Sequence, residues 1–332
     1  MKIAVLHDYP NVFRQTAASA RLRDHEIQIH TGTQTDPIEL ARIIGDCDAA
    51  VFTQQRVRFP RAAVERVKNL KFISQTGRNT YHIDLEACTE RGIAVSVGGI
   101  SGPKGQSARN FASTVELVWG LIIASMRHLP YEIERFKNGH WQSTVGTRLF
   151  GNTLGVYAYG HIGSSVAGIA RAFGMKVLCW GRDGSTSKAR AQGFDIAPSR
   201  EAFFESCDVI SLHIAAKKET YGIVTAQDLA RMKPSSLLVN TSRASIIEPG
   251  ALVEALKNGR PGHAAVDVFE EEPVVGANHP LLKLERALCT PHLGYNDREG
   301  FEQFYETAVD QLLAYAAGKP VNVINPEALA RR

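Results

Sequence analysis

Short apolar runs, rich in β-branched residues, alternate along the chain with amphipathic segments. One series fills the first third, and a second begins at Thr153. Each run has the length of a strand, and the segments between them carry apolar residues at helical spacing. This alternation predicts an α/β protein with parallel sheets. The runs are IAVLH, EIQIH, AAVFT, KFIS and IAVSV, then LGVYA, KVLCW, DVISLH, SLLVN, AAVDV and ALCT.

The segments outside these runs divide the chain. GGISGPKGQ, residues 98–106, breaks the pattern with glycines and a proline, which predicts a linker or hinge. One long helix is expected from about Ser107 to Asn138, and a final helix from about Asp297 to Ala317. A chain of 332 residues is long enough for two domains.

Composition limits the partners to expect. The net charge is only +4, and the basic residues are scattered among acidic ones, so nothing favours nucleic acid. The N-terminal apolar run is too short for a signal peptide, and LVWGLIIASM is about half a membrane span. No C-x-x-C pair suggests a metal site. We therefore expect a soluble, cytoplasmic protein with a small-molecule ligand, without a metal or a membrane.

Glycines and polar residues cluster where the second-series strands end. Because the carboxyl ends of parallel strands meet at one edge of a sheet, six such ends predict one ligand site. They carry Gly160 to Gly163, Gly181 and Arg182, His213, Thr241 to Arg243, Asp267 to Glu272, and His292.

The stretch AYGHIGSS, residues 158–165, matches the G-x-G-x-x-G turn of dinucleotide-binding domains except at its first position. Gly160 allows the backbone to approach a pyrophosphate, and Gly163 allows close packing of helix on strand. Ala158 replaces the first glycine, which alanine tolerates if its φ angle stays negative. A plain strand-to-helix turn is the alternative interpretation.

The end of KVLCW bears on the choice between NAD and NADP. An NAD enzyme normally places an acidic residue there for the ribose hydroxyls, whereas this chain has Gly181 and Arg182. Arg182 can pair with a 2′-phosphate, and Ser185, Ser187 and Lys188 can add donors. Asp183 offers the opposite choice, since it can accept from the hydroxyls. We expect NAD or NADP, with NADP favoured.

Three further residues have the chemistry of a hydroxy acid dehydrogenase. The guanidinium of Arg243 can bind a carboxylate in bidentate fashion and polarise a carbonyl. His292 can exchange a proton near neutral pH, and Glu272 can orient the imidazole and support its cationic form.

Longer stretches carry a family resemblance: TGRNTYHIDLEACTERGI, GHIGSSVAGIARAFGMKV, LARMKPSSLLVNTSR, HAAVDVFEEEP, CTPHLGY and GKPVNVINP. The chain resembles the D-isomer-specific 2-hydroxyacid dehydrogenases, in their phosphoglycerate dehydrogenase-like branch. This resemblance implies two Rossmann-like domains, the substrate domain being discontinuous. A flavodoxin-like substrate (catalytic) domain would comprise residues 1–106 plus 297–332, and an NAD(P)-binding Rossmann domain residues 107–296.

The resemblance also implies a role for each site residue. Arg243 would bind the substrate carboxylate and ketone, His292 would be the acid/base, and Glu272 its partner. The substrate carboxylate would also meet Gly77, Arg78 and Asn79. The cofactor-binding residues would be Gly160, His161, Ile162, Gly163, Gly181, Arg182, His213, Ile214, Thr241, Ser242, Asp267 and Gly294. From its sequence context alone, His213 fits a core histidine and a cofactor-lining one equally well. Ala215 and Ala244 depart from the proline and glycine usual in the family.

The activity implied is reversible reduction of a 2-ketoacid to a D-2-hydroxy acid, by a homodimer that uses the segment WQSTVGTRLF as an arm. Hydroxypyruvate, glyoxylate, phosphoglycerate and longer acids all fit as substrates. One alternative is a formate dehydrogenase-like enzyme, which needs no acid/base dyad. Another is a cofactor-sensing protein of the corepressor type.

Overall fold

Two parallel sheets organise the residues that the structure, a computed structural model, describes: 1–98 and 111–331. The chain divides into two compact units, one comprising Met1–Gln106 with Asp297–Arg332 and the other Ser107–Asn296. Both predicted series of strands are confirmed. The predicted linker, apart from Gly98, and the first residues of the predicted long helix lie outside the described residues.

The strands of the described ranges are β1 (Lys2–Leu6), β2 (Glu26–His30), β3 (Ala49–Phe52), β4 (Phe72–Gln75), β5 (Ala94–Val97), β6 (Thr153–Tyr157), β7 (Lys176–Trp180), β8 (Asp195–Ile196), β9 (Val209–Leu212), β10 (Leu237–Asn240), β11 (His263–Val266) and β12 (Ala287–Cys289). The α-helices are α1 (Pro37–Ile44), α2 (Arg61–Val64), α3 (Leu85–Glu90), α4 (Ala112–Met126), α5 (Leu129–Lys137), α6 (His161–Ala172), α7 (Asp183–Ala191), α8 (Arg200–Ser206), α9 (Ala226–Arg231), α10 (Ala251–Lys257) and α11 (Arg298–Ala316). None of these helices is both long enough and apolar enough to cross a membrane.

The first unit has a five-stranded sheet in the order β2-β1-β3-β4-β5, which is the order of flavodoxin-like folds. The C-terminal helix α11 covers one face of it. Tyr305 of α11 is fully buried and donates its hydroxyl to Asp8 Oδ1 at 3.1 Å. Ser74 of β4 donates to Gln311 Oε1, again on α11, at 2.6 Å. These buried contacts explain why the end of the chain belongs to the same unit as its beginning.

The second unit has a seven-stranded sheet in the order β12-β11-β10-β9-β6-β7-β8. Its two faces bury separate apolar clusters, one around Phe203 and Phe204 of α8 and the other around Val118 of α4 and Val166 of α6. The two-residue strand β8 was not expected from the sequence, because it is too short to show a strand pattern.

The expectation of one helix through residue 138 was wrong. Helix α4 ends at Met126 and α5 begins at Leu129. Between them His128 adopts a left-handed φ of 51°, and Pro130 has no N–H with which to continue the helix. The Met126 carbonyl instead accepts from Thr147 N at 2.7 Å. The apolar run is therefore two helices that meet at a turn.

Candidate active site

The carboxyl edge of the second sheet gathers most of the predicted site residues. The ends of β10, β11 and β12 are neighbours there, since these strands are adjacent. They lead directly into residues 241–243, Asp267 and Thr290. Topology thus brings Arg243 and His292 to one edge, although 48 residues lie between them along the chain.

His292 and Glu272 form a close pair. His292 Nδ1 lies 2.6 Å from Glu272 Oε2, and Glu272 Oε1 accepts from Phe269 N at 2.9 Å. The side chains are 25% and 33% exposed, so solvent or a ligand reaches them. Because Nδ1 faces the carboxylate, Nε2 is the nitrogen available for proton exchange. The contact joins the two residues that the sequence paired, and their acid/base role stays a prediction.

Asp267 holds the loop that carries His292. Its carboxylate is fully buried and accepts from Thr290 Oγ1 at 2.6 Å, Leu293 N at 2.7 Å and Gly294 N at 2.9 Å. Burial raises the pKa of Asp267, and these hydrogen bonds act in the opposite direction. The sequence suggested a residue that lines the cofactor. That role stays a prediction, whereas the contacts show a brace for the turn at His292, whose φ is 54°.

Asn240, which sequence reasoning missed, orders the backbone around Arg243. The buried Asn240 side chain donates to the Arg243 carbonyl and accepts from Ser242 N, both at 3.0 Å. Ser242 Oγ donates to the Leu212 carbonyl at 2.8 Å, which ties the end of β10 to β9. The signal was present as a polar residue that ends the apolar run LLVN. Ala244 begins a 3-10 helix without a positive φ, so glycine is not needed there.

The glycine turn departs from expectation at its first position. Ala158 has a φ of 76°, so the condition under which alanine replaces this glycine without strain, a negative φ, is not met. Its N–H donates to the Trp180 carbonyl at 2.8 Å, and a left-handed residue is what turns the chain from β6 into α6. A left-handed alanine costs about 1 kcal/mol. Gly163 is required, because a Cβ there would lie 2.4 Å from the Ala158 oxygen.

The turn fits the pyrophosphate of a dinucleotide. Gly160 is the N-cap of α6, and a Cβ built on it would meet nothing within 4 Å. The first amides of a twelve-residue helix, at His161, Ile162 and Gly163, have no acceptor within the helix and form an anion-binding end. The exposed ring of His161 stacks on Phe111, with centroids 5.6 Å apart.

At the end of β7, Gly181 has a φ of 156° and Arg182 is the N-cap of α7. Arg182, Asp183, Ser187 and Lys188 are exposed. The Ser185 hydroxyl accepts from Tyr159 N at 2.5 Å, and its O–H can still donate to a ligand, so its expected role as a donor stays a prediction.

His213 follows β9, and its backbone N–H donates to the Tyr157 carbonyl at 2.9 Å. Neither ring nitrogen has a hydrogen-bond partner among the described residues, and burial lowers the pKa of His213 to about 4. The ring is therefore neutral at pH 7, and both of its nitrogens are shielded from solvent, so its role in lining the cofactor stays a prediction. Ile214 is 7% exposed and packs in the core, and Thr241 is also buried. Thr220 Oγ1 donates to the Ala215 carbonyl at 2.8 Å, which sets the path of that loop.

Gly77, Arg78 and Asn79 follow β4 in the first unit. The Gln75 side chain donates to the carbonyls of Gln54 at 2.5 Å and Asn79 at 3.3 Å, and Gly98 N donates to the Gly77 carbonyl at 3.1 Å. A Cβ on Gly77 would lie 2.9 Å from Gln54 Oε1. The loop backbone is thus held from both sides, while Arg78 and Asn79 are exposed.

The chain is similar to known proteins of one family. Residues 119–294 match the family model described as D-isomer specific 2-hydroxyacid dehydrogenase, NAD binding domain. The D-3-phosphoglycerate dehydrogenase of Methanocaldococcus jannaschii is 32% identical over 90% of this chain and 55% of its own length. The glyoxylate reductase of Thermococcus litoralis is 31% identical over 84% of each chain. An oxidoreductase structure from Ralstonia solanacearum has a TM-score of 0.90, with 42% identity over 99% of this chain and 98% of that one.

The chain spans about half the length of the D-3-phosphoglycerate dehydrogenases it matches. The family match itself covers more than half of this chain and includes the glycine turn, Arg243, Asp267 and His292. The two parallel sheets agree with it. The chain belongs to the D-isomer specific 2-hydroxyacid dehydrogenase family and carries that family's NAD-binding domain.

Proposed function

We propose that this protein is an NAD(P)-dependent dehydrogenase that reversibly reduces 2-ketoacids to D-2-hydroxy acids. The observation that carries the proposal is the 2.6 Å contact between Glu272 and His292, which lies on a loop braced by Asp267. When bound, the nicotinamide cofactor would donate a hydride to C2 of the ketoacid or accept one from C2 of the hydroxy acid. Hydride transfer to a ketone also needs a proton for the oxygen, and the dyad supplies it.

Each side chain has a separate task in this proposal. His292 Nε2 gives its proton to the ketone oxygen in reduction and takes it back in oxidation. Glu272 fixes the imidazole orientation through Nδ1. Arg243 binds the substrate carboxylate and polarises the ketone. The role of Gly77, Arg78 and Asn79 in binding the substrate carboxylate stays a prediction from the family resemblance.

Two of the matched relatives are enzymes named for D-3-phosphoglycerate and for glyoxylate. The choice of 2-ketoacids to assay follows from these names. The purified chain should oxidise NADPH or NADH in the presence of glyoxylate, hydroxypyruvate, 3-phosphohydroxypyruvate or a longer 2-ketoacid, and the product should be the D-enantiomer. Absence of turnover with every acid and both cofactors, although a nucleotide binds, would favour a cofactor-sensing role. Turnover of formate would favour the formate dehydrogenase alternative.

We also propose NADPH as the preferred cofactor. Support comes from the absence of a carboxylate at Gly181 and from the exposed Arg182 at the N-cap of α7. The measurement is the ratio of kcat/KM for NADPH to that for NADH, in wild type and in Arg182→Ala. The ratio should exceed one and fall about tenfold in the variant, because a bidentate phosphate contact is lost. A wild-type preference for NADH would contradict this proposal.

A homodimer is the proposed assembly. Helix α5 and the arm at 141–150 expose large apolar side chains, among them Phe136 at 63%, Trp141 at 77% and Val145 at 93%. The arm is tied to α5, since Glu132 accepts from Thr144 Oγ1 at 2.6 Å. An exposed apolar patch of this kind favours a protein partner, and a second copy would cover it. Sedimentation should show a dimer at micromolar concentration, and Trp141→Asp should shift it towards monomer.

A further inference from the structure

Tyr159 joins the glycine turn to both ends of helix α7. Its backbone N–H donates to Ser185 Oγ, in the first turn of α7, at 2.5 Å. Its hydroxyl donates to Gln192 Oε1, at the C-cap of the same helix, also at 2.5 Å. Tyr159 is 4% exposed, and both bonds are partly buried.

The far end of α7 is fixed a second time. Arg171 Nη2 donates to the Gln192 carbonyl at 3.0 Å and also to the Gly193 carbonyl, and its guanidinium lies 3.6 Å from the ring centroid of Phe194. Phe194 in turn contacts the Tyr159 ring at 5.5 Å. The start of α7, in contrast, is joined to the turn through the hydroxyl of Ser185 alone among the side-chain hydrogen bonds of the described residues.

The start of α7 is also where the cofactor choice is proposed to lie. Arg182 is the N-cap and Asp183 the first helical residue, two or three positions before Ser185. Gly181 at φ 156° passes so close to this serine that a Cβ would lie 3.1 Å from its oxygen. A movement of Ser185 therefore moves the segment that carries Arg182.

We infer that Ser185 is a positioning residue for cofactor selectivity: its hydroxyl holds the Arg182–Asp183 segment at a fixed distance from the glycine turn. A dinucleotide spans these two features, with its pyrophosphate at the turn and its adenosine ribose at the end of the second strand. Fixing one against the other sets whether Arg182 reaches a 2′-phosphate. This inference rests on the proposed use of NAD(P).

The test measures dissociation constants of NADPH and NADH by fluorescence titration, without substrate. Ser185→Ala should lower the NADPH preference about fivefold, a coupling of ordinary size between neighbouring groups. Ser185→Thr keeps the hydroxyl and should therefore keep the wild-type preference for NADPH. Ser206→Ala is the matched control, because that hydroxyl bonds the Ala202 carbonyl within its own helix.

A double-mutant cycle separates positioning from a loss of stability. If Ser185 acts through Arg182, Ser185→Ala should leave the preference unchanged in an Arg182→Ala background. An unchanged preference in Ser185→Ala alone, or a Ser185→Thr variant that behaves like alanine, would overturn the inference. Failure of the wild type to bind either nucleotide would overturn the proposed function as well, so the two failures are distinguishable.

Discussion

The carboxyl edge of the second sheet has two halves, one formed by the ends of β10, β11 and β12 and the other by the ends of β6, β7 and β9. Different interactions hold the two halves in place. At the ends of β10, β11 and β12, polar side chains are hydrogen-bonded to their surroundings, with Asn240, Asp267 and Glu272 each making at least two bonds. At the ends of β6, β7 and β9 the backbone sets the geometry, as at Ala158 with its left-handed φ. There the ring of His213 has no hydrogen-bond partner among the described residues.

This difference follows from what each half is proposed to bind. Proton transfer needs a side chain that is oriented before the substrate arrives, so the groups around His292 are braced in advance. A pyrophosphate is bound mainly by backbone amides at a helix N-terminus, which need a turn of the right shape rather than particular side chains. Side-chain substitutions should therefore be severe in the first half and backbone effects should dominate in the second.

The largest expected effect is that of His292→Ala. Removal of the acid/base should lower kcat about 10³-fold, with NADPH binding retained, because the cofactor turn lies in the other half of the edge. His279→Ala is the matched control, since His279 also pairs with a glutamate, Glu270, at 2.9 Å. Its kcat should be that of wild type. A His292→Ala variant with more than about a tenth of wild-type kcat would contradict the assignment.

The pH dependence of stability probes the half in which the ring of His213 has no hydrogen-bond partner among the described residues. Burial lowers the pKa of His213 from 6.5 to about 4. Between these values the unfolded chain binds a proton that the folded unit does not, so stability should fall as pH drops from 6.5 to 4, by at most about 3 kcal/mol. Below pH 4 both states are protonated, and this contribution should change no further.

Hydrogen exchange of the β9 amides at pH 7 and 4.5 measures this effect. His213→Leu should weaken the acid sensitivity of the second unit. His82→Leu is the control, since burial lowers the pKa of His82 to about 4 in the first unit. Equal acid sensitivity of β9 in wild type and His213→Leu would show that other groups govern it.

Glu272→Gln should have a somewhat smaller effect than removal of the imidazole. The amide preserves the shape but not the charge that supports the cationic imidazole, so kcat should fall about 10²-fold. The KM for the ketoacid should change little, because Arg243 remains. Glu270→Gln serves as the control, as its carboxylate belongs to the surface pair with His279. Equal loss in both glutamine variants would argue against a special role for Glu272.

Sequence reasoning succeeded where a signal is local. Strands such as SLLVN and the final helix show their period in a few residues, and Gly160 and Gly163 stand at fixed spacing after a strand. It failed where one residue depends on distant ones. The brace at Asp267 joins three groups 23 to 27 positions away, and the bond from Tyr159 to Ser185 spans 26. Such contacts exist only once the sheet has brought strand ends together.

The backbone angle of Ala158 also depends on the surrounding fold, and it leads to the smallest effect expected. Its φ of 76° reflects the turn from β6 into α6, not a preference of alanine. Ala158→Gly should relieve about 1 kcal/mol of left-handed strain, while the greater freedom of glycine in the unfolded chain takes back about half of that. The second unit should gain about 0.5 kcal/mol in its free energy of unfolding and melt about 1–2 °C higher.

Gly163→Ala, in the same turn, should act in the opposite direction and far more strongly, because its Cβ would lie 2.4 Å from the Ala158 oxygen. Thermal melting of both variants tests whether backbone geometry governs this half of the edge: destabilisation by Ala158→Gly, or a neutral Gly163→Ala, would show that it does not.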